Sequence, residues 1–312
     1  MKLGIWKNAH RRYEEGCPVM VIYGEMAAIA TAICWSISVM LFRYLGTNFT
    51  PLTLNLWKGL LASSGLGIVL LFTNVTYFPQ SSEIVWLLLS GAIGIGIGDT
   101  AFFSALNRMS ESSTLLLTET LAPVLTALLA MLWLAEWLSV WQWLAMAIIL
   151  FGVDLVIRSR KKGTQHFEVS FSGLNFAALA ALCQAIGAVI GRDVLTHSAI
   201  DSISASLLRL LGGLITASLI ILFSGKSFLP KQAGQLSTWK ILAKATFFGT
   251  FLAMIFQTLS FTYAPAAIVQ ALFASSIIFT LLLSWFNGQQ ITRNAFVGSS
   301  IAVVGVFLMM LF

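Results

Sequence analysis

Charge is scarce in this sequence. Lys and Arg number 18 and Asp and Glu 12 among 312 residues, while 58% of the chain is hydrophobic. A water-soluble domain of this length needs polar faces, and too few charges are present to make them. Cysteine is scarce as well. Cys34 and Cys183 fall in apolar stretches and Cys17 in a polar tail, an odd and scattered set that gives no disulfide framework. The three histidines, His10, His166 and His197, fall in the tail or in loops, so no intramembrane metal site of the usual kind is expected. HExxH and GxSxG are missing, and so is a phosphate-cradling GxxxxGK[ST] loop, since Gly225-Lys226-Ser227 has Ile220 where that loop needs its first glycine. No enzyme chemistry and no cofactor are therefore expected. An ATP-driven pump would need a large soluble nucleotide domain, so any driving energy must come from solute or ion gradients.

What is present is a series of ten mostly apolar stretches, at 22–43, 52–73, 84–106, 113–134, 140–157, 173–191, 203–223, 241–262, 266–286 and 294–312. A helix rises about 1.5 Å per residue, so about twenty residues cross a hydrocarbon core of about 30 Å. The expected fold is an all-α polytopic membrane protein, with the lipid bilayer as its surroundings. The apolar run from Val21 is too long for a signal-peptide core and lacks a convincing small-residue cleavage site, so it reads as a permanent span. Met20 would also serve as a start. The net charge of +6 does not point to nucleic acid, because Lys and Arg gather at span ends, where they contact headgroups.

The second half repeats the first. Ala28–Arg43 lies over Ala177–Arg192 at an offset of 149, Lys58 over Arg209 at 151, and Ala135–Ser139 over Gly288–Thr292 at 153. The units are a polar tail at 1–21, a first repeat at 22–157, a basic linker at 158–172 and a second repeat at 173–312. Five spans are an odd number, so the copy enters the membrane the other way up. Inverted repeats of this kind let transporters alternate between two faces around a midplane site. Eleven Lys and Arg flank the odd-numbered loops, which would set those loops in the cytoplasm and both termini outside. Lys2, Lys7, Arg11 and Arg12 in the tail argue the reverse, and Arg192 is assigned to the loop after the sixth stretch. Only a shared side for both termini follows.

Four pieces recur in a specific order: Cys34-Trp35-Ser36; the basic residues Lys58 and Arg209; Gly98-Asp99-Thr100-Ala101-Phe102-Phe103-Ser104-Ala105-Leu106; and Pro123 followed by Leu134-Ala135-Glu136-Trp137-Leu138-Ser139 and Gly152-Val153. In that order the chain resembles the EamA family of the drug/metabolite transporter superfamily, and the likeness covers both halves. The resemblance implies ten spans as two five-helix repeats and a role in moving small metabolites, amino acids or drugs. It also implies cytoplasmic termini, against the charge count. The second half departs from the pattern: Gln184 stands at the place of Trp35, Ser276 at that of Pro123 and Gln289 at that of Glu136.

Polar groups inside apolar spans cost about 2.5–3.5 kcal/mol or more when charged, so they normally face protein or water. Lys58 either snorkels to the headgroups or lines a cavity, and Arg209 at the matching place favours the cavity. Asp99 is either a partner for a basic residue or a protonatable cavity group. Gly91, Gly94 and Gly98 before it share a face by spacing, which is a packing device first. Glu119 precedes Pro123 by four residues, so the proline removes the bond to the Glu119 carbonyl and a helix kink is expected there. Gln184, Gln257 and Gln270 bring neutral donors and acceptors, and Trp35 could stack on a ligand or pack. Gly187–Gly191 reads as a contact inside the fold, with dimerisation a weaker alternative, and Glu136 as a solvated loop-edge residue or a cap on the next helix.

The substrate-cavity candidates are therefore Trp35, Lys58, Asp99, Glu119, Gln184, Arg209, Gln257 and Gln270. Together they suggest a secondary active or facilitative transporter, with export the expected direction, for a small organic metabolite such as an amino acid or drug-like compound. Glu119 or Asp99 would carry a proton as coupling ion. The expected location is multi-pass in the plasma membrane, such as a bacterial inner membrane, as a monomer or homodimer. The alternative is a polytopic protein without transport, an intramembrane enzyme or an assembly partner.

Overall fold

The computed structural model describes residues 18–73, 77–109, 111–160, 170–230, 235–286 and 292–312. Within them ten helices are long and apolar enough to cross a membrane. They are α1 Met20–Leu45, α2 Pro51–Phe72, α3 Ser81–Leu106, α4 Ser113–Trp133, α5 Val140–Arg158, α6 Phe171–His197, α7 Ser202–Ser224, α8 Leu236–Tyr263, α9 Ala266–Leu283 and α10 Arg293–Leu311. No strand occurs among the described residues. The ten helices form two inverted repeats, α1–α5 and α6–α10.

Helix ends follow local chemistry, and the two halves solve the same problem with different residues. α2 starts where the Thr50 hydroxyl accepts from the Thr53 amide and Pro51 takes the first position. α7 starts where Asp201 accepts from the amides of Ile203 and Ser204, and it stops at Gly225, whose φ of 62° suits a residue without a Cβ.

The repeats interleave. α5 packs on α10 and α2 on α7, while α3 lies on α6 as α8 lies on α1, and α4 on α6 as α9 on α1. Each of these large contacts joins one repeat to the other, so the centre of the molecule belongs to both. Close approach depends on glycine. A Cβ at Gly91 would fall on the Arg209 carbonyl, and one at Gly212 on the Leu88 carbonyl, so α3 and α7 meet backbone to backbone. Gly94 and Gly98 instead face α6, against Gly187 and Cys183. The three glycines thus serve two neighbours rather than one face, because residues Ala92–Asp99 form a π-helical segment whose wider turn shifts the side-chain register.

Three expectations need correction. α6 continues to His197, so Arg192 lies in a helix rather than a loop and His197 closes a span. A charge does not end this helix because Arg192 finds partners inside the protein. α8 begins at Leu236, not near 241; Trp239 in its first turns sits edge-on to Trp57 and Phe49, with ring centroids 4.8 and 6.0 Å away. α4 continues as one helix through Pro123, and an interruption with no proline to mark it falls in the other repeat, in α9 at Ala274–Ser275. There the amide and hydroxyl of Ser275 both bond the Leu272 carbonyl, and the Ile278 amide bonds the Ser275 carbonyl, tightening the helix to three-residue turns. Glu136, finally, is neither solvated nor a cap on the next helix.

Candidate functional site

Lys58 and Asp99 form an ion pair between α2 and α3. The lysine side chain is 3% exposed, so it does not snorkel to a headgroup. Its ammonium also lies 5.2 Å from the ring centroid of Phe103 and 5.9 Å from that of Phe42. Asp99 ends the π-helical segment, whose carbonyls lack ordinary helical partners. Asn55, one turn before Lys58, supplies them: its Nδ2 donates to the carbonyls of Ile95 at 2.8 Å and Gly96 at 3.1 Å. α8 carries the second π-helical segment, Phe247–Leu252. Ser206, one turn before Arg209, reaches the same helix and donates to the Met254 carbonyl at 3.0 Å. Irregular backbone at membrane depth is tolerated where protein or a polar cavity satisfies it.

Both π-helical segments border one cavity of about 60 Å³ between the repeats. About 10–15 Å³ holds one water, so there is room for a handful. Trp35, Lys58, Asp99, Glu119, Gln184, Arg209 and Gln257 all line it. Gln270 is not on the wall but stands behind Gln184, which donates its Nε2 to the Gln270 Oε1 at 3.0 Å. The Trp35 ring meets Phe102 and Phe273 edge-on, at centroid distances of 5.6 and 6.0 Å, which makes one part of the wall aromatic. Glu119 is 7% exposed and has no ion-pair partner among the described residues. No cluster of His, Cys, Asp and Glu among the described residues could hold a metal.

Arg209 differs from Lys58. Its Nε donates to the Ser90 hydroxyl at 3.1 Å, and that hydroxyl donates to the Gly187 carbonyl at 2.6 Å, linking α7, α3 and α6. No carboxylate pairs with it, and its Nη1 has no hydrogen-bond partner among the described residues. The offset of 151 that sets Lys58 over Arg209 also sets Gly98-Asp99 over Gly249-Thr250. Thr250 lines the cavity too, and its hydroxyl is likewise buried without a partner.

Two arrangements escaped the sequence. Arg192, 2% exposed, donates Nε to Glu136 at 2.7 Å and Nη1 to the carbonyls of Phe261 and Thr262 at 2.6 and 3.0 Å. The other Glu136 oxygen accepts from the Ala266 amide at 3.0 Å, so this residue caps α9, a helix of the opposite repeat. Glu136 thereby ties the end of one repeat to three helices of the other. Its counterpart Gln289 lies outside the described residues. Asn55 and Thr250 are the other omission; as neutral residues in apolar stretches they carry no large insertion cost and so give no warning.

Oppositely inserted five-helix units interleaved around an inner polar cavity define a membrane transporter. The chain belongs to the EamA-like transporter family, whose model matches residues 22–158 and 171–311, and so to the drug/metabolite transporter superfamily. It is similar to an uncharacterized transporter of Bacillus subtilis (strain 168), YyaM, at 25% identity over 268 residues, covering 85% of this chain and 86% of that protein. A solved crystal structure superposes with a TM-score of 0.75 at 17% identity, covering 92% of this chain and 96% of that one, a likeness of fold alone.

Proposed function

We propose that the protein is a secondary transporter of the plasma membrane that exports a small organic solute, an amino acid or a drug-like compound, by alternating access. The observation that carries this is the cavity itself: residues as costly in lipid as Lys58, Asp99, Glu119 and Arg209 converge on one chamber walled by both repeats. The interleaved contacts suit rocking of one repeat against the other, with the Arg192–Glu136 tie closing one face. Asp99 is engaged by Lys58, which leaves Glu119 as the better proton carrier. Gln184 and Gln257 would orient the solute. The test is reconstitution. Purified protein in liposomes should move at least one solute from a panel of amino acids and metabolite analogues, and cells carrying it should resist toxic members of that panel. Liposomes as tight to every member as protein-free controls, with unchanged resistance in cells, would sink the proposal.

A further inference from the structure

The two repeats treat their buried cation differently, and the difference names a chemistry. In the first repeat Lys58 has a carboxylate of its own, Asp99, from the neighbouring helix. In the second repeat the same offset puts Thr250 where a carboxylate would stand. Arg209, 3% exposed, and Thr250 both line the cavity, and among the described residues neither the Arg209 Nη1 nor the Thr250 hydroxyl has a hydrogen-bond partner. Buried polar atoms are nearly always hydrogen-bonded, so two orphan donors on one chamber are a signal.

The other ionisable groups on the wall do not satisfy Arg209. Asp99 is near enough to act on it electrostatically, but its carboxylate is held by Lys58. Glu119 lines the cavity and makes no ion pair with Arg209. A guanidinium and a hydroxyl together suit the two oxygens of one planar anion. The remaining wall, Trp35, Phe102, Phe273 and Met254, is apolar and suits a hydrocarbon or aromatic body.

We infer that the solute carries a carboxylate, which takes in the second repeat the place that Asp99 holds in the first, accepting from Arg209 Nη1 and Thr250 Oγ1. This rests on the transport proposal above and narrows it to organic acids and amino acids with an apolar body. Neutral or cationic drugs would leave the guanidinium unanswered in a low-dielectric chamber.

The experiment compares acids with their own amides. Purified protein in detergent is heated with 3-phenylpropanoate, 4-methylpentanoate and L-phenylalanine, and separately with the three corresponding primary amides. At least one acid should raise the unfolding temperature, and its amide should not. Arg209→Gln should weaken that acid about 10- to 100-fold, as expected for loss of a hydrogen bond to a charged group. Thr250→Asp should recreate the first repeat's internal pair. It should be more heat-stable than the parent chain and insensitive to the acid, an outcome that a merely structural Thr250 would not produce. Equal shifts by acid and amide, no shift by any acid, or full acid affinity in Thr250→Asp would each overturn the inference. Liposome flux separates it from the transport proposal. Amides or amines that cross as well as acids would refute the carboxylate site and leave transport standing. Acids that stabilise the protein but never cross would uphold the site and refute transport.

Discussion

Lys58 and Arg209 occupy the same place in two copies of one unit, yet only the first is neutralised from within. In α2 the lysine meets Asp99, and the pair is complete. In α7 the arginine holds Ser90 through Nε, lies 5.9 Å from the ring of Phe261, and shares the cavity wall with Thr250, which stands at the place of a carboxylate. Duplication thus supplied one geometry, and divergence supplied its asymmetry. A chamber with two closed ion pairs would be electrically mute, whereas one with a spare guanidinium would discriminate by charge, as the carboxylate proposal requires.

The sharpest way to break that contrast is to delete each cation. Lys58→Ala strands the Asp99 carboxylate, and removing one member of a buried pair destabilises by about 3–5 kcal/mol. Arg209→Ala strands no anion and should lose about 1–2 kcal/mol, the worth of its hydrogen bond and packing. Denaturant unfolding in detergent measures both. Adding Asp99→Ala to Lys58→Ala should return most of the loss. Equal penalties for the two single deletions would mean that Arg209 is as fully paired as Lys58.

A smaller effect is expected at Glu136, where the second repeat places Gln289. Glu136→Gln keeps an oxygen for either the Arg192 guanidinium or the Ala266 amide but removes the charge, so about 1–2 kcal/mol should be lost. Glu136→Ala, which leaves Arg192 buried among carbonyls alone, should be clearly worse. If Gln and Ala unfold at the same temperature, the charge rather than the two-way hydrogen bonding holds this tie together.

Much of this was legible beforehand because lipid penalises polar atoms so heavily. Span number, the repeat and the depth of Lys58, Asp99, Glu119 and Arg209 all follow from that penalty. Pairing was another matter. Asp99 could have answered either cation, and only the interhelical packing that seats Gly91 on the Arg209 backbone and turns Asp99 toward α2 decides between them. From sequence Arg192 reads as a loop residue, because a charge at the end of an apolar run usually marks one. Its partners come from residues 56 to 70 positions away, beyond any local pattern. The break in α9 is silent in the sequence for a similar reason: proline announces itself, while a serine that takes its own helix's carbonyl does not.

Glu119 offers the gentlest and most informative change. The offset of 153 that sets Pro123 over Ser276 sets Glu119 over Leu272, a fully buried apolar residue, so this carboxyl also exists in one repeat only. Glu119→Gln preserves shape and hydrogen-bonding capacity and mimics the protonated acid permanently. With no ion pair to lose, stability should change by no more than about 1 kcal/mol. Flux should behave otherwise. If Glu119 carries the proton, solute movement in liposomes with an imposed pH gradient should follow the gradient in the parent chain and ignore it in the variant. A variant that still follows the gradient would move the proton to Asp99, and then Lys58 and Asp99 would be a pair that opens during the cycle rather than a fixed strut.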